Sequence, residues 1–141
     1  MRFAIAAMRD HLRAELFDRE TVEETREFLA ALAEEALRRG SPRVLICVSS
    51  SRPVFRIEDY QVSYFLKELA ARPSVRVALV SNREDTRAAH EYVEMLARRQ
   101  GANLRSFADE AKALRWLRSK RDTPADAARP ASAAAKRRKR P

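Results

Sequence analysis

The stretch Arg43-Val44-Leu45-Ile46-Cys47-Val48-Ser49-Ser50-Ser51-Arg52-Pro53 decides the fold. An apolar run with no period-two alternation ends abruptly in a polar loop. Such a strand is buried on both faces, as in a parallel sheet covered by helices. The pattern recurs downstream. Val75-Arg76-Val77-Ala78-Leu79-Val80 leads into Ser81-Asn82-Arg83-Glu84, and a shorter strand near 103–106 leads into Ser106-Phe107-Ala108-Asp109. Helical periodicity follows each run: about Ile57 to Ala71, Glu84 to Gln100, and a last helix to about Arg118. The inner positions read as Val62, Phe65, Leu66 and Leu69, then Ala89, Tyr92, Val93 and Leu96, then Ala111, Leu114 and Leu117.

Upstream, Phe3, Ile5 and Ala7, then Leu12, Ala14 and Leu16, alternate with polar residues and predict an antiparallel opening pair at a sheet edge. Thr21-Val22-Glu23-Glu24 reads as a capping box, and Ser81 and Ser106 begin similar cap patterns. The helix behind Thr21 runs to about Arg39, with Phe28, Leu29, Leu32, Ala36 and Leu37 inward, and Gly40 and Gly101 are stop signals. The expected architecture is α/β, ββαβαβαβα, with a mostly parallel central sheet and amphipathic helices.

A chain of 141 residues has room for one domain, here residues 1–119, and can bury a core without staples. Residues 120–141 are Ala, Pro, Lys and Arg-rich and read as a disordered basic tail. The tail holds eight Lys/Arg and two acids, so +6 of the net +9 lies there and only +3 on residues 1–119. The single Cys47 rules out an intramolecular disulfide and any Cys-based metal cluster, and reads as a small buried hydrophobe in a reducing compartment. The apolar stretch 3–8 is short for a signal-peptide core and far short of a membrane span, so a cytoplasmic protein with no membrane span is expected.

The chain resembles the STAS family, and more narrowly its stand-alone bacterial branch of sporulation stage II AA-like, anti-sigma-factor-antagonist proteins. The likeness covers about residues 2–118. It is carried by the opening strand pair ending in Leu16-Phe17-Asp18, the capped helix at Thr21, and the strand Val44–Val48 with its polar loop. The closing stretch Ser106-Phe107-Ala108-Asp109-Glu110-Ala111-Lys112-Ala113-Leu114-Arg115-Trp116-Leu117 is similar to the family's usual end. The resemblance implies a STAS-like fold and a regulatory, signal-transducing role through protein binding. One departure is plain: the family's phosphorylated Asp-Ser-Ser/Thr-Gly loop has no counterpart in Ser49 through Asp59.

Ser49, Ser50, Ser51 and Arg52 follow one strand, and Ser81, Asn82 and Arg83 follow the next. The C-terminal ends of parallel strands are where open α/β sheets bind ligands, and hydroxyls, an Arg and a helix start there suit an anion or phosphate. Turns and caps also call for Ser and Asn at these positions. His11 and His90 have no metal-ligand partner at useful spacing and read as surface residues. Glu58, Asp59, Glu84 and Asp85 fall in first helical turns, where negative charge is stabilising. With only two glycines, neither a P-loop nor a dinucleotide fingerprint fits.

Phe55, Tyr60 and Tyr64 group around the second helix, and an exposed subset would mark a partner surface or an apolar-ligand mouth. Lys136, Arg137, Arg138, Lys139 and Arg140 suit weak, non-specific binding of nucleic acid. The expectation is a non-enzymatic module without a cofactor or metal, acting through an unidentified protein partner and modulated by serine phosphorylation or a small anion. A nucleic-acid-associated protein anchored by its tail is the alternative, and a small enzyme using the Ser/Arg loops is a third reading.

Overall fold

In a computed structural model, which describes residues 1–49, 59–81 and 83–119, the elements are β1 (Arg2–Ala7), β2 (Leu12–Phe17), α1 (Val22–Arg39), β3 (Arg43–Ser49), α2 (Asp59–Ala70), β4 (Arg76–Val80), α3 (Glu84–Gln100), β5 (Leu104–Phe107) and α4 (Glu110–Arg118). They build a five-stranded mixed sheet of order β1-β2-β3-β4-β5. β1 is antiparallel to β2, and every later pair is parallel.

Right-handed crossovers between successive neighbouring parallel strands place their helices on one face. Accordingly Phe28 and Leu32 of α1, Leu66 and Leu69 of α2 and Ala97 of α3 pack with Leu12, Leu16, Val44, Ile46, Val77 and Leu79. The opposite face carries α4, whose Ala113, Trp116 and Leu117 cover Leu45, Ala78 and Val80. Residues alternate between the two cores along β3 and β4, which explains why those runs show no polar face. β2 alternates instead, burying Leu12, Ala14 and Leu16 under the helices. Its other side lies beyond α4 and holds an ion pair of Arg13 with Glu15.

The capping box at Thr21 forms: its hydroxyl accepts from Glu24 N, and the Glu24 carboxylate accepts from Thr21 N. Gly40 and Gly101 end α1 and α3 in the left-handed region, at φ 62° and 77°, where a side chain would be strained. The opening turn closes through Met8 N donating to His11 O at 2.8 Å.

Several sequence expectations need correction. The second and third caps lie elsewhere. Arg83 is the N-cap of α3, without a side-chain capping bond, because Ser81 Oγ accepts from Arg83 N and is spent on the turn. Asp109 caps α4 by accepting from Lys112 N, while the Ser106 hydroxyl donates to Glu94. The last strand is shifted by one residue, to Leu104–Phe107. Helix faces also turn. Leu37 is exposed on α1, Tyr92 is more than one-third exposed, and on α4 Ala111 is exposed while Ala113 joins the buried side, where Leu114 packs half-buried. The expected start of α2 at Ile57 and the tail lie outside the described residues, as does the side chain of Val62.

His11 and His90 are buried, not on the surface, at 8% and 6% exposure. His11 is covered at the turn between β1 and β2, its Nδ1 2.9 Å from Asp10 Oδ1, and Asp10 in turn pairs with Arg118 of α4. His90 lies on the inner face of α3 beside Thr86 and Ala89.

Candidate functional site

The C-terminal edge of β2–β5 is built from strand ends and the helix starts that follow them. At the end of β2 the chain turns through Asp18, whose φ of +58° is left-handed, a conformation aspartate tolerates better than most residues. Asp18 N donates to Ser49 O at 3.3 Å, holding the ends of β2 and β3 together. The Asp18 carboxylate takes a hydrogen bond from Arg2 on β1. This turn delivers Arg19 to a buried position, 7% exposed, just before the α1 cap. Burial pushes its guanidinium below its ordinary pKa, while the Glu24 carboxylate acts in the opposite direction.

Arg19 lies close enough to His90 to act on it electrostatically. Burial, and secondarily the Arg19 charge, push His90 down to about 4, so the ring is neutral at pH 7. Its Nδ1 is buried with no hydrogen-bond partner among the described residues, as is Arg87 Nε one turn earlier on α3. A buried cation, a second guanidinium and an imidazole nitrogen thus sit at the edge where α1 and α3 begin. Their chemistry suits an anion, since each guanidinium donates only, and helix starts favour negative charge.

The sequence-picked residues divide. Ser49 ends β3 and is exposed. Ser81 is buried at 2% exposure and engaged by Arg83 N. Arg83 is exposed and forms a bidentate pair with Asp85, at 3.1 and 2.7 Å, so its charge is already met. Ser50, Ser51, Arg52 and Asn82 lie outside the described residues, as do Lys136, Arg137, Arg138, Lys139 and Arg140. Neither Arg19 nor His90 stands out as a site residue in the sequence: Arg19 lies between Asp18 and Glu20 in a charged turn, and His90 precedes Glu91 on a mostly polar helix face. A signal was present in the spacing of Thr86, Ala89, His90, Val93 and Ala97, which traces one helix face once Tyr92 is left out.

On the opposite face Cys47 neighbours Glu110, with Sγ 3.9 Å from Oε1. Burial first, and the Glu110 charge second, push this thiol up to about 11. It is therefore protonated at pH 7 and a poor nucleophile. Glu110 itself accepts two hydrogen bonds from Arg13, at 2.9 and 3.0 Å, which tie the start of α4 to β2. Among the described residues no group of three or more His, Cys, Asp or Glu converges to hold a metal, and no helix is long and apolar enough to cross a membrane. No protein-family model matches this chain, and no curated protein is significantly similar to it in sequence.

Proposed function

We propose that this chain is a non-enzymatic, STAS-like regulatory module of bacterial type that acts in the cytoplasm through protein contacts. Serine phosphorylation or a bound anion at the C-terminal edge of the sheet modulates it. The observation that carries the reading is the buried Arg19 beside the neutral His90 at that edge, next to the exposed Ser49. A phosphoryl group or a free anion there meets guanidinium donors in a site of low dielectric, where charge-assisted bonds are strong. Such an event changes the charge of the very surface formed by the starts of α1 and α3, which makes it a switch for a docked protein.

The test is recovery of the full chain from its native cells, with intact-mass analysis and cross-linking. The expected result is one co-purifying protein in fixed stoichiometry, whose affinity changes about tenfold with Ser49→Asp or with millimolar phosphate. Turnover of a substrate by the purified chain, or the absence of any stoichiometric protein, overturns the reading.

The run Lys136 to Arg140 favours a second reading, a nucleic-acid-associated protein anchored by its tail.

A further inference from the structure

Between α1 and α2 the helical layer parts. The groove there has a volume of about 910 Å³ and reaches down to Val44 and Val77 of the sheet. Its banks are apolar, with Ala33 and Leu37 on α1 and Tyr64 and Phe65 on α2. Leu37 is 59% exposed and Tyr64 67%, the two most exposed of the large apolar side chains among the described residues. Two such residues facing one cleft form a patch of the kind that marks an interaction site.

Charge says what kind of partner fits. Arg26 lines the groove in the second turn of α1, and Arg72 lines it just past the end of α2. Both helices run from the C-terminal to the N-terminal edge of the sheet, so the two arginines stand at opposite ends and on opposite banks. Arg2, Arg13, Arg38, Arg39, Arg83, Arg98 and Arg118 each bond a carboxylate. Among the described residues Arg26 and Arg72 have none, and Glu68 is the single acid of the lining.

We infer that this groove receives an amphipathic helix of another protein, laid along α1 and α2 with its apolar face down and a carboxylate near each end. The length from Arg26 to Gly40 is about 20 Å at helical rise, matching about fourteen residues of a bound helix. A small apolar molecule on the groove floor would leave Leu37 and Tyr64 in water, whereas a helix, about 10 Å across, covers both. A second copy of this chain fits poorly, because a two-fold contact sets Arg26 and Arg72 of both copies on one another. The inference rests on the protein-contact reading and names the chemistry of the partner.

The test uses isotope-labelled full chain and three synthetic sixteen-residue helical peptides sharing one leucine face. The peptides carry Glu, Gln or Lys at the two flanking end positions. Amide shifts confined to α1 and α2 are expected with the Glu peptide, with affinity about tenfold above the Lys peptide, as two exposed ion pairs allow. The double variant R26E/R72E, at exposed sites that leave the core untouched, is expected to reverse that preference. Equal binding of all three peptides, shifts elsewhere, or no binding overturns the inference. So does a dimer in sedimentation whose interface is this groove. A co-purifying protein still captured in full by R26E/R72E would overturn the groove assignment while leaving the protein-contact reading intact.

Discussion

His90 is the residue whose environment differs most from what its sequence neighbours suggest. Its pKa is held near 4 in the folded chain against an ordinary 6.5. Between those values the unfolded chain binds the extra proton, so stability is greatest above pH 6.5 and declines as pH falls toward 4. The expected loss from His90 between pH 7.5 and pH 5 is about 2 kcal/mol, seen as a lower urea midpoint. The variant His90→Gln should flatten that part of the profile; an unchanged pH dependence would show that His90 is not the titrating group. Neither this histidine nor Arg19 was legible as a site residue. Burial of a polar side chain depends on which helix face meets the sheet, and on α3 the inward spacing of Thr86, Ala89, His90 and Ala97 is obscured by Tyr92. Ser81 and Arg83 were legible in place but not in role, because local bonds to the backbone and to Asp85 engage them.

At the scale of elements, α4 shows what holds a short helix on an otherwise bare face. Trp116 is 6% exposed, against Phe107 with ring centroids 5.8 Å apart. The carbonyls at the end of α4 take hydrogen bonds from strand arginines: Arg76 Nη1 to Trp116 O at 2.7 Å, and Arg43 Nε to Leu117 O at 2.9 Å. Arg76 also lies over the indole at 5.4 Å. Cations are favourable at a helix C-terminus, and here they come from the starts of β3 and β4. Trp116→Ala should cost about 3–5 kcal/mol, by loss of transfer energy and the cavity left behind. Arg76→Met should cost about 2 kcal/mol, because a buried carbonyl loses a charged donor. Urea unfolding of both variants checks the pair, and equal, negligible losses would mean that α4 adds little to the fold. The inward packing of Leu117 was readable from the last amphipathic segment, and Trp116 adjoins it in the same buried cluster. The arginine clamps were not, since Arg76 is a charge inside an apolar strand and its partner is 40 residues away.

For the whole molecule, strand and helix order could be read because local periodicity and chain stops agree with the final packing. β3 and β4 are apolar throughout and central, β2 alternates, and β1 lies at the edge with Ala4, Ala6 and Ala7 exposed. The groove between α1 and α2 was not readable, because the distance between neighbouring helices leaves no periodic trace in either one. The charge excess in the tail belongs to this scale too. If the tail anchors nucleic acid, the full chain should bind a DNA duplex weakly, with a log–log salt slope of about −4.5 for five phosphate contacts. Replacing Lys136, Arg137, Arg138, Lys139 and Arg140 by serine should abolish that binding in gel-shift titrations. Binding that survives the replacement would remove the tail as its cause.

The lone position of α4 has a mechanical consequence. Three helices share one face of the sheet, while α4 has its own face to itself among the described residues, and the chain leaves it at Ser119. Tension drawn through that exit falls first on α4, which can be stripped one turn at a time from its C-terminal clamps. The strands behind it share load across a continuous ladder from β2 to β5. α4 is thus a clasp that yields before the body of the molecule does.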